Sequence, residues 1–198
     1  MGSELQSLDT IKPMAAKAEE NDPVRKEYQD GLNFLAQKEL GQAASALHNA
    51  LVGFEQRHDQ NGIANASNQL GHVCLGRQDF DGALRHYRRA LEICEQANDR
   101  MSIIAVLKKI VEAERGRKNP EEALASAFAM LDHYHDNRDP QGTVDTLELI
   151  ADLYLDSGER EKAADTYRTM ASIHSNFRHS TIAEKYLAKA SALLGAKE

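Results

Sequence analysis

The stretch NQLGHVCLGRQDFDGALRHYRRAL, residues 68–91, sets small residues, large apolar residues and a cluster of arginines at helical spacing. Alone, it reads equally as one amphipathic helix, as a basic nucleic-acid patch or as half of something repeated. Its copies elsewhere in the chain decide among these, because a segment that cannot bury its own apolar face needs neighbours of its own kind. Small residues recur at Gly31, Gly71 and Ala151, with Val111 in the same series, each 40 residues after the last. Alanine keeps that step in Ala43, Ala83, Ala123 and Ala163. Leu47, Tyr87, Ala127 and Tyr167 follow four residues later, and Ala50, Ala90, Met130 and Met170 three after those. Four columns in one register mean a structural unit copied in tandem.

Each unit reads as two helices. In the second, Ile63, Ala66, Leu70, Val73 and Cys74 recur at spacings of three and four until GRQD interrupts; a second run through Ala83, Leu84, Tyr87, Ala90, Leu91 and Cys94 ends at ANDR. Asp22 before Pro23, Asn119 before Pro120 and Asp139 before Pro140 place a capping side chain ahead of a proline at the first helical position. Loops between units are expected at HDQNG (from 58), NDRMS (98), RDPQG (138) and RHSTI (178), again 40 residues apart.

Composition narrows the class further. Of 198 residues 41% are hydrophobic and 28% charged, with no Trp, as in one soluble globular or repeat domain. The longest apolar run is five residues, 103–107, against the roughly 20 that span a bilayer, so no membrane partner is expected. The first twenty residues lack the continuous apolar core of a secretory signal. Gln6 also breaks the myristoylation pattern. With 24 Lys and Arg against 31 Asp and Glu, the net charge of −7 opposes nucleic-acid binding. Two cysteines make no disulfide framework, and a reducing cytoplasm is the expected compartment.

Leu70 and Gly71, then Ala83, Tyr87 and Ala90, resemble the tetratricopeptide repeat (TPR) family in order and spacing. Gly31, Ala43, Leu47 and Ala50 match in the first repeat, and Ala151, Ala163 and Tyr167 in the fourth. Common members repeat at about 34 residues; a 40-residue unit looks like the longer-helix variety of kinesin light chains and cell-polarity adaptors. The resemblance implies an all-α fold, an α-solenoid of tandem antiparallel helix pairs in a right-handed superhelix, with a C-terminal capping helix. The expected organisation is a partly flexible leader over 1–21, with a short helix from Pro13, and a repeat domain over 22–194. Repeats cover 22–61, 62–101, 102–141 and 142–180, and the capping helix covers 181–194. The third repeat departs from the pattern: Val111 replaces a small residue, Arg115 stands where Leu35, Leu75 and Leu155 stand, and Pro120 replaces Leu40 or Phe80. Looser or re-angled packing is expected there.

Little in the chain points to catalysis. Cys74 and Cys94 lie about four residues before and sixteen after the turn near Gln78, which separates them by about 18 Å along an antiparallel hairpin. A disulfide needs Cα atoms within about 7 Å, so both are expected to be packing residues. His133 and His135 point about 200° apart around a helix and cannot chelate one ion. There is no CxxC, HExxH, nucleophile elbow or phosphate loop. No metal, cofactor or catalytic residue is expected, and the protein is read as no enzyme. The Arg85, His86, Arg88 and Arg89 cluster reads as a solvated convex face rather than an RNA or phospholipid contact, since no stacking aromatic accompanies core Tyr87.

The resemblance places partners on the first helix of each pair, which lines the concave surface. The groove is expected to present Arg25, Tyr28 and Leu32; Asn65, Asn68 and His72; Lys108, Glu112 and Arg115; and Asp145, Glu148, Asp152 and Asp156. Asn65 and Asn68 would offer amides to an extended peptide backbone. Where family members grip a C-terminal carboxylate with Lys, Asn and Arg, this chain has Tyr28, Leu32, Gln69, Ala105 and Lys109, a single cation, which argues against that ligand. The reading is therefore a protein-interaction module, an adaptor or scaffold whose concave groove takes a peptide segment or partner helix carrying a basic segment. The alternative is a structural subunit, a homo-oligomer that stacks through its terminal helices. Covered or uncovered Ile182, Tyr186, Leu187 and Leu193 would discriminate the two.

Overall fold

The computed structural model describes residues 22–195; the leader expected over 1–21 lies outside them. Among the described residues the chain is all-α. In order the helices are α1 (Pro23–Ala36), α2 (Leu40–Gln56), α3 (Gln60–Gly76), α4 (Phe80–Gln96), α5 (Arg100–Gly116), α6 (Pro120–Asp136), α7 (Pro140–Asp156), α8 (Arg160–Asn176) and α9 (Ser180–Gly195). The helices from α2 to α8 are 17 residues each, joined by three-residue turns. The loops are thus shorter than expected, and HDQNG already enters α3 at Gln60.

The turns share one construction. The residue after each C-cap takes a left-handed backbone: Lys38, His58, Gln78, Asn98, Lys118, Arg138 and Arg178 have φ between 51° and 61°, and Gly158 has φ 77°. These positions fall every 20 residues, half the sequence repeat. The reversal satisfies carbonyls at the helix end: Asp59 N–H donates to Phe54 O and His58 N–H to Glu55 O, both at 3.0 Å, and Asp79 and Asp99 repeat the longer bond to Cys74 and Cys94. The next residue starts the following helix. Asp22, Asp59, Asp79, Asp99 and Asp139 each accept a first-turn N–H, at 2.9 to 3.3 Å. Asn119 precedes α6 but makes no such side-chain bond, contrary to expectation, although Asp22 and Asp139 cap their helices ahead of a proline in the same position. Among the described residues Gly158 is the only glycine at a left-handed position. Gly158→Ala should lower stability by about 1 kcal/mol, read as a shift in the urea midpoint, because a Cβ is strained in that conformation.

The chain divides into two compact units, Met1–Arg117 and Lys118–Glu198, with the boundary inside the third repeat. In the first unit α1 to α5 pack each on the next, and α3 also touches α1. All ten residues from 62 to 71 are buried, which makes α3 the most enclosed helix of this unit. The repeat columns supply its core. Leu47 and Tyr87 are fully buried, and a Cβ on Gly31 would lie 2.6 Å from Leu47 Cγ, one on Gly71 2.6 Å from Tyr87 Cδ1. Small residues on the first helix therefore admit large ones from the second. In the second unit α6 to α9 pack in sequence, around Ala123, Ala127, Ile150, Ala151, Leu153, Ala163 and Met170. Among the described residues no helix is long and apolar enough to cross a membrane.

Candidate functional site

The first-helix faces differ between the two units. On α3, Asn65 and Asn68 are only 9% and 4% exposed. They were expected as open amides, but α3 is enclosed by α1, α2 and α4, so they are spent inside the protein. The Asn68 amide donates to His72 Nε2 at 3.3 Å. That fixes the tautomer, leaving His72 Nδ1–H to donate to Tyr87 Oη at 3.0 Å, with the rings edge to face. Tyr28 is half-buried and bonded to Gln69; burial pushes its hydroxyl up to about 12. On α5, by contrast, Lys108, Glu112 and Arg115 are exposed, and Glu112 also pairs with Lys109 at 3.3 Å.

In the second unit α7 brings its acids together as expected from their spacing. Asp145, Asp152 and Asp156 are exposed and Glu148 is half-buried. Asp145 accepts from the Gln141 amide at 2.6 Å. Glu148 accepts a 2.7 Å bond from the hydroxyl of Tyr186 on α9. Burial first, then Asp152 and Glu148, raise the hydroxyl pKa of Tyr167; burial, the Glu148 bond and the charges of Glu148 and Asp145 raise that of Tyr186. One negative field thus covers two tyrosines, which the residue spacing within α7 alone does not reveal.

The arginines of the opening stretch are largely structural. Arg88 Nη2 lies 2.9 Å from Glu114 on α5, and Arg89 Nη2 lies 2.6 Å from Glu55 on α2. Glu114 is fully buried and also meets Arg117 at 3.4 Å, while Arg117 reaches Asp81 at 3.1 Å. Cys74 and Cys94 are free thiols. Burial pushes Cys94 up to about 11 and raises Cys74 as well, so neither is a ready nucleophile near neutral pH. A cavity of about 300 Å³ in the second unit is walled by Phe128, Leu147, Ile150 and Tyr154. The hydroxyls of Thr166 and Thr169 at its rim are already bonded to the backbone carbonyls of Lys162 and Asp165. Among the described residues no three His, Cys, Asp or Glu side chains gather as a metal site requires.

On α9, Ala183 and Ala190 are buried and Tyr186 and Leu193 half-buried, while Ile182 and Leu194 are exposed and Leu187 is 48% exposed. These exposed residues flank the buried seam, so the apolar face of α9 is wider than what α8 covers.

Tetratricopeptide repeat profiles match residues 62–127 and 146–179. No curated protein sequence matches the chain. Among solved structures, the apo form of RapI superposes with a TM-score of 0.68 at 16% identity, over 85% of this chain and 63% of its own. A protein of Podosopora anserina described as a kinesin light chain, with nearly identical TPR-like repeats, gives 0.69 at 12% identity, over 89% and 90%. Aspartyl phosphate phosphatase F from Bacillus subtilis gives 0.66 at 11% identity, over 89% of this chain and 47% of its own. The chain thus spans under two thirds of RapI and about half of the phosphatase. At these identities the likeness is one of fold, an α-solenoid of tandem helix pairs.

Proposed function

Because the chain belongs to the tetratricopeptide repeat family, we propose that it is a non-catalytic protein-interaction module, an adaptor or scaffold whose first-helix faces receive a peptide segment or partner helix. The observation that carries this reading is the row Asp145, Glu148, Asp152 and Asp156 on α7. Like charges three and four residues apart cost a helix a few tenths of a kcal/mol per pair. Gln141 and Tyr186 engage Asp145 and Glu148 within the protein, yet the row as a whole leaves a net negative, largely exposed face, which a partner's basic segment would complement. On the first unit the corresponding face is that of α5, with Lys108, Glu112 and Arg115, while on α3 Asn65 is buried and Asn68 and His72 are engaged within the protein. Two free thiols fit a reducing compartment, and the cytoplasm is the setting we take.

Asp145→Lys with Asp152→Lys should weaken capture of the principal partner from native extract at least about tenfold, and added salt should weaken the wild-type complex, since exposed charges are screened beyond about 8 Å. Quantitative mass spectrometry of the captured proteins reads the effect. Arg85→Glu, on the second-helix side, serves as control. If the folded acidic-face variant retains its partners and the Arg85 variant loses them, the surface assigned here is wrong.

The uncovered apolar flanks of α9 favour the second reading, association through an end. That reading requires a concentration-dependent rise in mass by sedimentation, abolished by Leu187→Glu.

A further inference from the structure

Glu148 has a second neighbour besides Tyr186. The ammonium of Lys189, also on α9, stands 3.9 Å from Glu148 Oε1 and 5.2 Å from the ring centroids of both Tyr167 and Tyr186. A cation within about 6 Å of an aromatic face is drawn to the negative ring quadrupole, so two faces and a carboxylate converge on one point charge. The seat is held in shape. The Tyr186 ring stacks with Tyr167 at a centroid distance of 6.1 Å and with His174 at 5.5 Å, and its hydroxyl is tied to Glu148. Its present occupant is held loosely, because the Lys189 side chain is half exposed and a single exposed ion pair is weak.

We propose that Tyr167, Tyr186 and Glu148 form a seat for one lysine side chain of a protein partner, and that Lys189 fills this seat in the free protein and is displaced on binding. This rests on the reading of α7 as the face for a basic segment and adds which residue is recognised and what competes for it. Lysine is favoured over arginine because one oxygen of Glu148 already accepts from Tyr186, which spoils the bidentate match a guanidinium needs. Asp145 and Asp152, about one turn to either side of Glu148, hold the flanking charges of the segment.

The test titrates an oligolysine peptide, its fully acetylated form and an oligoarginine peptide into the full chain by calorimetry, with circular dichroism confirming the fold of each variant. Lys189→Ala should tighten oligolysine binding by about threefold or more, while Lys185→Ala, which removes an equal charge one turn away, should have a smaller effect. The acetylated peptide should not bind, oligoarginine should gain less than oligolysine, and Tyr186→Leu added to Lys189→Ala should cancel the gain. Equal effects of Lys189→Ala and Lys185→Ala, or a gain that survives Tyr186→Leu, overturn the seat. If Asp145→Lys with Asp152→Lys abolishes oligolysine binding in that case, the acidic face stands without it; if that variant also binds normally, both readings fall.

Discussion

Changing Arg88 and Arg117 together to Ala should cost the protein about 3–5 kcal/mol, because it leaves a buried carboxylate with neither of its cations. Glu114 is fully buried on α5, 2.9 Å from Arg88 and 3.4 Å from Arg117. Both arginines are themselves partly exposed, so the cost of removing them arises at Glu114 and not from their own burial. Each single change should cost less than half of the total, since the other arginine still faces the carboxylate. Glu114→Gln added to the double variant should recover most of the loss, as it removes the uncompensated charge while keeping the shape. Urea midpoints of the five proteins check the set. A double variant as stable as the wild type would mean that water reaches Glu114. Arg85→Ala provides the contrast: it stands on the same helix without a partner at salt-bridge distance among those described, and should fall within about 0.5 kcal/mol of wild type.

That result would also say why part of this molecule could be read from sequence and part could not. Columns such as Gly31 with Leu47 and Gly71 with Tyr87 are legible because close helix packing demands complementary sizes, and size is written in the residue type. The turns are less legible. Lys38, His58, Gln78 and Arg138 occupy a left-handed conformation that favours glycine, yet only Gly158 carries the signal, because a three-residue reversal between well-packed helices imposes the conformation on whatever residue stands there. The candidate site divides along the same line. Periodicity within one helix placed Asp145, Glu148, Asp152 and Asp156 on one face. It placed Asn65 and Asn68 on a face too, but could not tell that three neighbouring helices enclose α3. Nor could it tell that Arg88 and Arg89 reach Glu114 and Glu55, or that Lys189 and Tyr186 reach back to Glu148. These partners lie 26 to 41 residues away in sequence, and nothing in their own spacing announces them.

Gly71→Val should cost about 3 kcal/mol, at the upper end for overpacking, and most of that cost should be conditional on Tyr87. A Cβ at Gly71 would lie 2.6 Å from Tyr87 Cδ1, inside any real contact distance, and the ring has no room to retreat because it is fully buried and its hydroxyl is held by His72 at 3.0 Å. The gain in helix propensity from replacing glycine, a few tenths of a kcal/mol for Val, does not offset this. Tyr87→Ala alone should also destabilise, by about 3–5 kcal/mol, through the cavity it opens. The two changes together should cost less than their sum by about 1–3 kcal/mol, because each relieves what the other causes. The third repeat already carries that combination in its columns, with Val111 where the others are small and Ala127 where they have Leu or Tyr. A double-mutant cycle in urea measures the coupling. Strict additivity would mean that Gly71 and Tyr87 do not compete for one space, and that the small-against-large columns are not what lets the two helices of this repeat approach.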